Sequence, residues 1–189
     1  MGEADYFVST ANADAVAWLD RWPDWPQPQA LLIGPEGAGK SHLARIFAAR
    51  SGARLVDDAD AADPEALFHA WNAATADAPL LMLARRRPRD WPHRLPDLAS
   101  RLAATPLLAI ADPDDALLGA VLAKQFADRG LRLPSEVAAY LLTRIERSFA
   151  AVAATVASLD AAALAEGRAI TVPLAREVFE AQFALPLAD

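Results

Sequence analysis

The chain has 189 residues, is 54% apolar, contains no cysteine and carries a formal net charge of −7. That length allows one domain of ordinary size or a medium domain with a small appendage, while the missing cysteines exclude a disulfide framework and a thiolate metal site. The acidic balance argues against a general nucleic-acid coat, which needs clustered Lys and Arg.

The opening MGEADYFVST lacks the basic-then-apolar pattern of a signal peptide, so a cytoplasmic location is expected. Ser9 or Thr10 is placed to cap a helix from about Ala11 to Trp22, with Val16 and Leu19 inward and PDWPQP as its stop. The apolar run Ala30 to Ile33 is followed at once by glycines, the pattern of a buried parallel strand feeding a tight turn. From Ser41, HLARIFAARSG reads as a helix stopped by Gly52. A brief strand, Arg54 to Val56, runs into DDADAADP, whose Pro64 opens a helix with Leu67, Phe68 and Trp71 at helical spacing. Two more apolar strands follow, Pro79 to Leu83 and Pro106 to Ile110. Strands alternating with helices imply an α/β fold with a parallel sheet covered on its faces.

After Ala111 the pattern becomes helical. Asp112 before Pro113 reads as a cap with a first-turn proline, followed by the stripe Leu118, Val121, Leu122, Phe126. LPSEVAAYLLTRIER, the Ala-rich run from Ser148 to Ala165 and PLAREVFEA supply three further helices. The Ala-rich run carries Asp160 and reads as a closely packed bundle helix rather than a membrane span. The resulting division is 1–111 for the α/β part, 112–181 for an all-helical lid and 182–189 for a tail. His42, His69 and His93 are too far apart to share a helical face, and no HExxH-type spacing occurs. Arg85, Arg86, Arg87, Arg89 and Arg94 form a local basic run, which reads as a solvated loop rather than a phosphate clamp.

The motif with the most chemistry is GPEGAGKS: Gly34, then Pro35, Glu36, Gly37 and Ala38, then Gly39, Lys40 and Ser41. This is GxxxxGK[ST]. Its glycines let backbone N–H groups converge on phosphate oxygens, Lys40 supplies a cation, and Ser41 is placed to coordinate Mg²⁺ at a helix N-terminus. ADP or ATP with Mg²⁺ is the expected cofactor.

With these residues in hand, the chain resembles the bacterial replication initiator DnaA family of AAA+ proteins. GPEGAGKSHLA is similar to that family's phosphate loop, where His and Leu also follow the Ser or Thr, so His42 joins the expected nucleotide site. VDDADAADPEALFHAWNAA resembles the Walker B segment and its Phe-His-x-Phe-Asn helix, RRRPRDWPHRLPDLASRLAA the stretch carrying the arginine finger, and GRAITVPLAREVF the closing strand and helix. The resemblance spans about Tyr6 to Ala181.

What the resemblance implies follows residue by residue. Asp57 joins Ser41 at the metal and Asp58 helps position the attacking water; an acidic turn with Asp60 and Asp63 is the other reading of that pair. Arg101 acts as a finger on ATP held by a neighbouring subunit, or is an exposed helix arginine. Arg147 is the lid's phosphate-touching arginine, and Phe7 and Val8, next to Tyr6, belong to a linker covering adenine. Ala84 stands where the family carries a polar sensor. Only 15 residues separate Ser41 from Asp57, where family members insert another strand and helix, so a reduced sheet of four strands is expected.

The resemblance ends with the lid, and no helix-turn-helix DNA-binding domain is expected beyond it. That arrangement resembles the Hda type, regulators that make DnaA hydrolyse its ATP in concert with the sliding clamp. Its partners would then be DnaA, the β sliding clamp and a further copy of the chain, without sequence-specific DNA or membrane binding. Gln182, Phe183, Ala184, Leu185, Pro186 and Leu187 fit a Gln-Leu-x-Leu-Pro-Leu clamp peptide, Pro186 keeping Leu185 extended. Alternatively, Phe179 and Phe183, four apart, extend the last helix and pack on the lid. Two other functions stay open: a self-contained P-loop ATPase, and the AAA+ portion of an initiator.

Overall fold

The computed structural model describes residues 6–92 and 95–183. The chain divides into two compact units, Met1–Asp112 and Pro113–Asp189.

In the first unit, β1 (Gln29–Ile33), β2 (Arg54–Val56), β3 (Leu80–Ala84) and β4 (Leu107–Ala109) form one four-stranded parallel sheet in the order β2-β3-β1-β4. The expected four strands are all present. β1 and β3 are buried along their whole length because alternate residues serve opposite faces. Ala30, Leu32, Leu81 and Leu83 meet α1 (Ala13–Leu19) and α2 (Lys40–Ser51) through Ala15, Leu19, Leu43 and Phe47. Leu31, Ile33, Leu80 and Met82 meet α3 (Pro64–Ala73) and α4 (Pro96–Ala104) through Leu67, Leu98 and Leu102. In register, Ile33 of β1 faces Ala84 of β3, so the two central strands end level with each other.

The first helix starts later than expected. Its N-cap position is Asn12 rather than Ser9 or Thr10. Asn12 is buried, accepts from Ser9 N–H at 2.9 Å and donates to the Tyr6 hydroxyl and the Phe7 carbonyl. Its side chain is thereby committed to folding residues 6–9 against the helix, and Ser9 is used in a turn.

The second unit contains α5 (Asp115–Asp128), α6 (Ser135–Leu142), α7 (Phe149–Glu166) and α8 (Val172–Phe183). Leu118, Leu122, Phe126, Val137, Leu141, Val152, Val156, Leu159 and Leu174 form its core. The cap of α5 is Asp114, whose carboxylate accepts from Leu117 N–H at 2.8 Å, and not Asp112. Two acids flank Pro113, and the later one lies three residues before the amide that needs an acceptor. Residues 168–171 form no strand, in contrast to the closing strand implied by the resemblance: only the helix of that segment is present. By length and composition α7 could cross a membrane, but its Val152, Val156 and Leu159 are fully buried in the core of this unit.

Candidate nucleotide site

The loop between β1 and α2 has its shape from glycine. Gly37 and Gly39 have φ of 74° and 88°, which side-chain-bearing residues rarely adopt. Gly34 is required for another reason: a Cβ there would lie 2.6 Å from the Ile110 carbonyl oxygen, where β1 and β4 run out side by side. Gly39 occupies the N-cap of α2 without a side-chain cap, so the first-turn amides are left to other acceptors. A helix start of this kind favours an anion.

Lys40 Nζ donates to the carbonyls of Gly34 and Pro35, each at 2.7 Å, which aims the ammonium across the inside of the loop. Its pKa is lowered, first by burial and then by the charge of Arg85, with Asp57, Asp58 and Asp60 acting the other way. The Ser41 hydroxyl donates to the Asp57 carboxylate, 3.2 Å to Oδ2 and 3.4 Å to Oδ1. The short spacer between them therefore still brings β2's end to the head of α2. Among the described residues no group of three or more His, Cys, Asp or Glu is arranged to hold a metal alone. Ser41 and Asp57 instead form the donor pair suited to Mg²⁺ that takes its other ligands from phosphate and water. Asp58 is exposed and is the one non-glycine residue with positive φ, 46°, among those described.

Ala38 is buried and Glu36 exposed. His42 is half-buried, its ring 5.6 Å from that of Tyr6. Burial pushes the Tyr6 phenol up to about 12, with the Asn12 hydrogen bond opposing. Tyr6, Val8, Val16, Leu43, Ile46 and Phe47, with the ion-paired Asp20 and Arg50, line a cleft of about 200 Å³ beside α2. Val8 is on that wall, while Phe7 is fixed through its carbonyl by Asn12.

Within the first unit the structure brings Gly34 through His42 together with Asp57 and Asp58, with Val8 on the cleft beside α2. Arg101, on α4, is not a loose surface arginine: its guanidinium lies 4.8 Å from the ring centres of both Phe68 and Trp71 and donates to Asn72 Oδ1. These partners, all on α3, were not singled out for Arg101 by the sequence. The alternation of Phe68, Trp71 and Asn72 on one helical face was the available signal. Arg147 is half-exposed and pairs with Asp115 at 2.9 Å inside its own unit. α8 continues through Gln182 and Phe183, so the first two positions of the expected extended clamp peptide are helical. Residues 184–187, including Leu185, Pro186 and Leu187, lie outside the described residues, as do His93 and Arg94.

Arg85 is exposed, as expected of a solvated run, and it is ion-paired there. It follows β3 directly, and its guanidinium reaches Glu36 of the phosphate loop at 2.6 Å. The missed signal was position, since side chains at the carboxyl ends of parallel strands face the ligand crevice.

A parallel sheet with a glycine-rich phosphate loop leading into a helix, followed by a helical unit, defines a P-loop α/β module. Solved structures agree on the fold. Domain III of the replication initiation protein DnaA from Thermotoga maritima superposes with a TM-score of 0.81 at 14% identity, covering 97% of each chain. DnaA from Aquifex aeolicus bound to AMPPCP gives 0.68 at 17% identity, covering 84% of this chain and 64% of its own. RuvB from Thermotoga maritima gives 0.75 at 15% identity, covering 96% and 72%. Residues 115–179 match the family model described as "Hda, lid domain". The chain thus shares the fold of these structures, and its residues 115–179 match the Hda lid model.

Proposed function

We propose that this chain binds ADP or ATP with Mg²⁺ and regulates replication initiation in the cytoplasm by stimulating ATP hydrolysis on DnaA. The observation that carries the reading is the conjunction of an Hda-type lid with a complete phosphate loop. Gly34 to Ser41 would hold the phosphates, Ser41 and Asp57 the metal, and the cleft by Tyr6 and Val8 the base. His42 would support that wall, and Arg147 would add a cation from the lid. A bound nucleotide supplies negative charge that orders the loop and hence the module's surface.

Arg101 is the residue assigned to the partner. A guanidinium held by two aromatic faces and one amide loses little freedom on meeting a phosphate, which suits a group that stabilises charge on another subunit's ATP. The same contact would serve self-association of copies of this chain. Gln182 to Leu187 would dock on the β sliding clamp, the helical start at Gln182 and Phe183 unwinding or presenting the leucines beyond it. Ala84 has no polar group to orient a water, so the reading does not require rapid turnover by this chain.

The test is an ATPase assay on DnaA with clamp loaded on DNA. Arg101→Ala is expected to abolish the stimulation while clamp binding persists. Full stimulation by that variant would remove Arg101 from the role.

A further inference from the structure

Among the described residues, Asp60 is the one buried side chain that carries a charge. It lies two residues beyond Asp58, on the turn that follows β2. Its carboxylate accepts from Arg86 Nε at 3.4 Å, and its side chain is 6% exposed against 58% for the arginine. A carboxylate withdrawn from water is costly unless its partners compensate, and one long bond to a half-exposed arginine compensates poorly. Apolar residues of similar volume commonly serve as well at such positions, so fold stability alone does not account for an acid there.

The contacts of the turn do. β2 ends at Val56, paired with Met82, yet the chain stays on β3 beyond it: Ala59 N–H donates to the Leu83 carbonyl at 2.7 Å. Between these two attachments sit Asp57, whose carboxylate accepts from Ser41, and Asp58, in a left-handed backbone conformation. Arg86 follows β3 by two residues and is itself fixed, because its carbonyl accepts from the Trp91 indole at 2.8 Å and Trp91 is buried. The Asp60 bond to Arg86 thus ties the far end of the turn to the exit of β3, the strand beside β1. Asp60 is also near enough to favour the charged form of Lys40. Anchored at both ends, the turn keeps the Asp57 carboxylate beside Ser41, and a ligand held in place by its outer partners binds a metal more tightly.

We propose that Asp60 is a positioning residue for the Mg²⁺ of the nucleotide complex: bonded to Arg86, it fixes the turn that carries Asp57 and so sets how much Mg²⁺ strengthens nucleotide binding. Asp60 acts through Asp57 rather than as a ligand. The inference rests on the nucleotide reading above.

The experiment measures the affinity of the whole chain for ADP with saturating Mg²⁺ and with EDTA in its place, the ratio of the two being the Mg²⁺ enhancement. Asp60→Ala is expected to cut that enhancement about tenfold, the scale for losing an outer partner of a metal ligand, while affinity in EDTA changes by less than about threefold. Asp60→Asn keeps the shape and an acceptor for Arg86 but not the charge, and should cut the enhancement about threefold. Arg86→Ala removes the exposed partner and should reproduce Asp60→Ala. If Asp60→Ala does not fold, the other two variants carry the test. An unchanged enhancement in the folded variants, or equal losses with and without Mg²⁺, overturns the assignment and leaves the nucleotide site standing. Failure of the unaltered chain to bind ADP overturns both.

Discussion

The two units use charge in opposite ways. In the lid, several cations have acids of their own: Arg168 donates to Glu166 and Glu177, holding the Glu177 carboxyl below the usual carboxylate range, Arg147 meets Asp115, and Lys124 meets Asp128 one helical turn on. At the strand ends of the first unit cations and acids share partners instead, with Arg85 acting on Lys40 one way and Asp57, Asp58 and Asp60 the other. Lys40 sits beside Arg85, Asp58 is held in a left-handed backbone conformation, and Arg85 divides itself between two acids. The lid therefore keeps separate ion pairs on a packed bundle, whereas the loop concentrates several acids and cations at the strand ends, where the ligand crevice of such a sheet lies.

Substitutions that separate packing from chemistry sharpen this contrast. The largest effect is expected in the lid. Leu159 of α7 is fully buried, and Leu159→Ala should destabilise by about 2–5 kcal/mol in urea unfolding. Leu164, on the same helix but 83% exposed, provides the comparison: Leu164→Ala should stay within about 0.5 kcal/mol. Similar losses at the two positions would mean that the lid core is misassigned. A smaller effect of the opposite sign is expected at the loop. Asp58→Gly removes a side chain from a left-handed position and should raise stability by up to about 1 kcal/mol. A clear loss of thermal stability in that variant would show Asp58 to be a structural residue rather than one held for chemistry.

The sequence carried the sheet well, because short apolar runs bounded by Pro and Gly leave few alternatives once helices separate them. All four strands lie where those runs predict, and the short spacer before Asp57 accounts for the number. Helix starts were less legible. Asn12 takes the first position without a side-chain cap bond because its amide is spent on residues 6–9, and Asp114 caps α5 because it lies three residues before the Leu117 N–H; local spacing chooses among several nearby polar residues.

At the site, the loop could be read from spacing alone, since glycine positions and a lysine make a local pattern. Arg85 could not, because its meaning comes from Glu36, 49 residues away, and from the strand order that sets β3 against β1. Arg101 falls between these cases. Its position was legible from the surrounding residues, but the aromatic seat on α3 depends on how α3 and α4 pack.

The most direct measurement is calorimetric titration of the purified chain with ADP and Mg²⁺, beside the Lys40→Ala variant. The account predicts saturable binding by the unaltered chain, and a loss of at least about tenfold when the loop's ammonium is removed. Absence of heat at millimolar nucleotide, or equal affinity in the two proteins, would contradict it.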